Sequence, residues 1–157
     1  MSVPDNIDVF NRIVATCMLQ LYEAFPVPQD INPSSVAMQA IQEHRPDGEM
    51  FDILSRQAAA AIKFLAAEGF IRFRSEYRTL DAHTFPKAQL TLKGLAVLGA
   101  VPDTVDVSRD RRTLAEQLRD GMQIGAEETL STSVSSMLSA ALGMGLRAVV
   151  SAATRTP

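Results

Sequence analysis

The chain has 157 residues, 46% of them hydrophobic, enough for one domain of ordinary size with an appendage and too apolar for wholesale disorder. Fifteen Lys and Arg against eighteen Asp and Glu give a net charge of −3, so any nucleic-acid contact has to come from a local basic patch. A single Cys excludes an intramolecular disulfide, and the absence of Trp leaves the core to Leu, Ile, Val, Met, Ala and a few Phe.

A first helix is predicted from about Ile7 to Ala24, where Phe10, Ile13, Val14, Cys17, Leu21 and Phe25 recur at helical spacing. Asp5 or Asn6 can cap it, and Pro26 and Pro28 stop it. Asn32-Pro33 reads as an N-cap followed by proline in the first helical position, opening a second helix to about Glu43. His44 to Gly48 is a turn. A long third helix follows from about Glu49 to Glu68, with Phe51, Leu54, Ala58, Ala61, Ile62 and Leu65 as its buried stripe. Gly69 fits the left-handed residue that ends a helix, with Phe70 folding back as its apolar contact.

From Phe70 the period changes. Phe70 to Arg74 alternates from Ile71 onward like a half-buried strand, and Thr84 to Leu90 is the returning strand, with Pro86 marking an edge or a bulge. Thr91 then caps a short helix carrying Leu92, Leu95 and Leu98, which Gly99 and Pro102 end. Residues 101–107 read as a linker. Ser108 to Asp120 reads as a charged amphipathic helix with Leu114 and Leu118 inward, and Gly121, Gly125 and the Ser/Thr run at 129–136 weaken continuity after it. A last helix is predicted from Leu130 to about Ala153. The expected division is therefore 1–102 and 103–157, with no internal repeat.

Three helices, a β-hairpin and a further helix is the order of a winged helix, and local residues carry the same resemblance. Leu65 to Ile71 is similar to a recognition helix running into the first wing strand. Leu90-Thr91-Leu92-Lys93-Gly94 resembles the Leu-Thr-x-x-Gly that closes the wing in bacterial regulators such as the MarR and PadR families. The resemblance covers about residues 7–100. It implies a mainly α fold with a small β-hairpin wing, a C-terminal helical extension, and a role in DNA binding and transcription regulation.

The residues themselves leave the ligand open. Arg72, Arg74, Arg78, Lys87 and Lys93 lie between Phe70 and Leu95 against Glu76 and Asp81, a local excess of about three positive charges that can meet phosphates. Arg56 and Lys63 lie on the predicted exposed face of the third helix, but its alanines make a thin surface for reading bases. A solvated hairpin whose charges protect an edge strand, or a face for protein docking, is the competing reading.

No residues assemble a credible catalytic centre, so no enzyme activity and no cofactor are expected. His44, Asp47, Glu49 and Asp52 are explained as a turn and helix N-terminus rather than as a metal site. The Gly-x-Gly-x-x-Ala at 143–148 follows no strand and is no dinucleotide motif. Cys17 sits on an apolar face, and the serines near 131–139 have no neighbouring His in sequence.

In the tail, Leu130, Val134, Leu138, Leu142, Leu146 and Val149 form an apolar stripe expected to associate with a second copy or a protein partner. A membrane-associated adaptor is the remaining alternative. Residues 134–153 have the length of a span, but Arg147, four Ser and two Gly oppose insertion. The first six residues lack the pattern of a secretory signal, so a cytoplasmic location is expected, and the tail's stripe makes a homo-oligomer the expected state.

Overall fold

The computed structural model describes residues 6–42, 46–75, 77–78, 83–100, 112–125 and 127–154; for 77, 78, 83 and 144–154 it describes the backbone alone. In chain order the elements are α1 (Asn6–Ala24), β1 (Gln29–Ile31), α2 (Pro33–Ile41), α3 (Gly48–Ala67), β2 (Ile71–Arg72), β3 (Tyr77–Arg78), β4 (His83–Leu90), α4 (Leu92–Gly99), α5 (Leu114–Ile124) and α6 (Glu127–Thr154). The fold is mainly helical with a small antiparallel sheet, an arrangement compatible with the expected winged helix.

Local chemistry sets most of the boundaries. Asn32 Oδ1 accepts from the backbone N–H groups of Ser34 and Ser35, and Asp47 Oδ1 accepts from Met50 N, so both helices start on side chains that satisfy orphan donors. At the end of α3, Phe70 N donates to Leu65 O and Gly69 N to Ala66 O, with Gly69 at φ +81°. That is the paired hydrogen-bond pattern of a Schellman ending, which only glycine enters without strain against a Cβ. Thr113 and Glu116 close a reciprocal capping box at the start of α5. The residues expected to begin that helix at 108–111 lie outside the described residues, and Arg112 and Thr113 precede it.

β4 is the strand on which the others assemble. It pairs β1 antiparallel, Gln29 opposite Ala88 and Ile31 opposite Phe85. It also pairs β2, Ile71 opposite Leu90, and then β3, Tyr77 opposite Thr84; the two registers are in line, and Arg74 N bridges the gap to Pro86 O at 3.0 Å. Between Phe85 and Ala88 β4 carries one residue more than β1, with Lys87 at φ +55° and its N–H donated to Asp30 Oδ1. This bulge is what lets Phe85 and Ala88, three apart, both face the core. Pro86 thus marks the bulge of a central strand rather than an edge. β1 was not anticipated from the sequence.

The core runs from α1 through the sheet to α6. Ile13, Val14, Cys17 and Met18 of α1 are buried together with Ile62 and Leu65 of α3, Phe85 of β4, Leu114 and Leu118 of α5, and Val134 and Met137 of α6. Leu114 and Leu118 point inward as expected. Gly121, expected to weaken the helix, lies inside α5 and is buried; a Cβ there would stand 3.4 Å from Leu130, in contact with α6. The Ser/Thr run does not interrupt α6 either, because Thr132 and Ser133 donate their hydroxyls to the carbonyls of Glu128 and Thr129 one turn back. Arg12–Glu127 and Arg119–Glu23 ion pairs, 2.5 and 3.2 Å, tie α1 to α6 and to α5 at the surface.

The extension is therefore built into the same core. Leu130 and Val134, two of the residues expected to form an open association stripe, are 3% and 1% exposed and packed within the chain. Leu138 is half-buried and Leu142 is exposed; the side chains of Leu146 and Val149 lie outside the described residues. Among the described residues no helix is long and apolar enough to cross a membrane.

Candidate nucleic-acid interface

The junction between α3, the hairpin and α4 rests on one hydroxyl. Thr91 Oγ1 donates toward Gly69 O and Phe70 O, at 2.5 and 3.1 Å, and accepts from Gly94 N at 3.1 Å. Thr91 N also donates to Phe70 O at 3.0 Å. A Cβ on Gly94 would come within 2.2 Å of that same carbonyl, closer than any side-chain carbon is found. The Leu-Thr-x-x-Gly spacing thus has a mechanical meaning here. Threonine starts α4 and locks it to the end of α3, and glycine lets the helix lie against the Phe70 backbone.

Lys93 completes the lock. Its ammonium donates to Glu68 O at 2.7 Å, at the negative end of α3, and lies 5.1 Å from the centre of the Phe70 ring. It belongs to the helix junction more than to the outward charge of the hairpin.

The hairpin has two faces. Ile71, Phe85, Ala88 and Leu90 are buried, and Phe73 meets Phe85 edge to face at 4.8 Å. On the outward side Arg72, Arg74 and Lys87 are exposed. Arg72 donates to Gln89 Oε1 at 3.1 Å, and Gln89 in turn donates to Pro26 O at 2.5 Å, which holds the guanidinium along the strand. Arg78 continues the same strand direction in β3; its side chain is outside the described residues. Arg56 and Lys63, two turns apart on α3, are both exposed on the side away from the buried stripe of Leu54, Ala58, Ala61, Ile62 and Leu65.

This outward surface is mixed in character. Glu49 and Asp52 share the α3 face with the two cations, and Met50, Ile53 and Phe64 stand exposed beside them. Phe51, expected in the buried stripe, is half-buried.

The remaining candidates are placed as follows. Asp47 is a helix cap, His44 lies outside the described residues, and no group of three or more metal-ligating side chains occurs among those described. Residues 143–148 continue α6 without a break, so the glycines there form no phosphate-binding loop. Cys17 is buried, and burial pushes its thiol up from 9.0 to about 12, which keeps it protonated and unreactive.

No family model, curated protein or solved structure matches the chain.

Proposed function

We propose that the chain is a winged-helix protein that binds duplex DNA and acts in transcriptional control. The observation that carries this reading is the outward face of the hairpin, where Arg72, Arg74 and Lys87 project together from a strand pair joined directly to the end of α3. Arg56 and Lys63 stand exposed on that helix, beside Glu49 and Asp52. The Arg72–Gln89–Pro26 chain of hydrogen bonds holds one of the hairpin's cations along the strand.

Fluorescence anisotropy with a labelled duplex of random sequence tests it. If Arg72, Arg74 and Arg78 each meet a phosphate, log K falls against log salt with a slope near −2.7, about −0.9 per contact. The triple change to Ala removes binding and leaves the thermal midpoint in place. Absence of binding at about 50 mM salt, where such contacts are strongest, would reject the DNA reading.

A second reading, protein docking without DNA, is favoured by one specific observation. Ile7, Met50, Ile53 and Phe64 are all at least 39% exposed on α1 and α3. Such clusters mark contact surfaces more often than scattered single residues do.

A further inference from the structure

α3 and the hairpin meet at Gly69, and their exposed surfaces differ in what they offer a duplex. On α3, Glu49, Asp52, Arg56, Ala60, Lys63 and Ala67 follow one another at spacings of three and four and are all exposed, so they form one solvent face. Its carboxylates equal its cations in number, and Asp52 stands one turn before Arg56, the spacing at which an acid offsets a base. Between Phe70 and Leu90 the cations outnumber the carboxylates four to two. Arg72 and Arg74 are two apart in the chain, so they project from the same side, and Phe73 between them turns in against Phe85. Arg74 N donates to Pro86 O, so this alternation holds past the end of β2.

We infer that the hairpin alone meets DNA, through the phosphate backbone, and that the chain binds duplexes with little regard to their sequence; this rests on the DNA reading above. Reading a sequence takes side chains that reach base edges, commonly about three or four from one helix. The α3 face supplies Arg56 and Lys63, about 10 Å apart along the axis with Ala60 between them. Gln57, the one amide side chain of α3, is half-buried and stands 3.5 Å from Asn6 Oδ1. Laid in a groove, α3 would also carry Glu49 and Asp52 toward phosphates of their own sign. Arg72 and Arg74 face no such opposition on their own strand, and contacts to phosphate carry no sequence information.

Selection from a library of randomised duplexes, followed by fluorescence anisotropy on the full chain, tests both parts. No common sequence is expected to be enriched, and A·T-rich and G·C-rich duplexes are expected to bind within about three-fold of each other, where site-specific proteins discriminate by about 10³ or more. Arg74→Ala is expected to lower the slope of log K against log salt by about 0.9, one phosphate contact, on every duplex. Arg56→Ala combined with Lys63→Ala is expected to leave that slope unchanged. All three side chains are exposed, and an unchanged thermal midpoint confirms that each variant keeps its fold. An enriched sequence bound more than about ten-fold tighter than its scramble overturns the inference while DNA binding stands. A double variant of α3 that loses as much slope as Arg74→Ala overturns it in the same way. Absence of binding to every duplex at about 50 mM salt is a different result, which rejects the DNA reading and this inference with it.

Discussion

α1 and α3 are nearly the same length, 19 and 20 residues, and both are amphipathic, yet they do opposite work. α1 buries ten residues distributed around its circumference, because α2, α3, α5, α6 and β4 all pack on it. α3 buries five along one stripe. A helix apolar nearly all round is a core helix, and one apolar on a stripe is a boundary. Thr16 fits this: it donates its hydroxyl to Arg12 O, so it can be buried without an orphaned donor. The difference teaches where function can reside. The face of α3 away from α1 is free to carry charge and exposed apolar groups; hardly any face of α1 is.

The comparison breaks most severely if α5 and α6 are removed. A chain ending at Ala100 uncovers the side of α1 that Leu114, Leu118, Leu130, Val134 and Met137 now cover. Each such side chain contributes about 1.5–3 kcal/mol when buried, against a total stability of about 5–15 kcal/mol for a domain. Differential scanning calorimetry is expected to show no cooperative transition for the shortened chain. A sharp transition at the full-length midpoint would show that residues 1–100 complete their own core.

A matched pair sharpens it at single residues. Ile13→Ala in α1, where the side chain is 1% exposed, is expected to cost about 2–5 kcal/mol by urea denaturation. Ile53→Ala in α3, 43% exposed, is expected to change stability by less than about 0.5 kcal/mol. Equal effects would mean that Ile53 is covered on that flank of α3.

The smallest effect is electrostatic and belongs to α1 alone. The buried Cys17 thiol stays protonated to about 12, while in the unfolded chain it ionises near 9.0. Between those values the unfolded state releases a proton that the native state keeps, so stability falls as pH rises through that window and is unaffected below it. The slope from this group is at most about 1.4 kcal/mol per pH unit. Comparing wild type with Cys17→Ala from pH 8 to 11 isolates it from the lysines and tyrosines. Parallel curves would place the thiol in contact with water.

What the sequence revealed follows the range of the interactions. The caps at Asn32, Asp47 and Thr91 and the left-handed Gly69 are settled within a few residues of each site, and all were legible. Leu65 is fully buried as expected from its stripe. Leu95 of α4 is half-buried and Leu92 is 83% exposed, because Val97 and Leu98 turn inward instead. A helix of eight residues offers too few turns to fix its rotation from spacing. β1 is three residues between prolines, too short for alternation, and its partner lies far along the chain. The tail shows the limit best. Spacing identified its apolar face, but only packing decides whether that face is covered from within, as at Leu130 and Val134, or left open, as at Leu142. For the candidate site, the cations were legible as a cluster. Their division between the outward hairpin and the Lys93 lock on α3 depended on a carbonyl from another element.

The pairing of β1 with β4 also imposes an order in time. Ile71 and Leu90 close a hairpin over a short loop, whereas Gln29 must wait for Ala88, almost sixty residues later. Contacts of such separation form late, since the intervening chain loses its freedom before the strand pair offers any return. During synthesis α1 and α2 leave the ribosome well before β4 exists, and α6 comes last. Until β1 docks, one edge of β4 has its backbone groups open to any extended segment nearby. The side chain of Asp30, which accepts the N–H of Lys87 at the bulge, is then more than a local anchor. It rewards the one register in which that edge is closed by the chain's own strand.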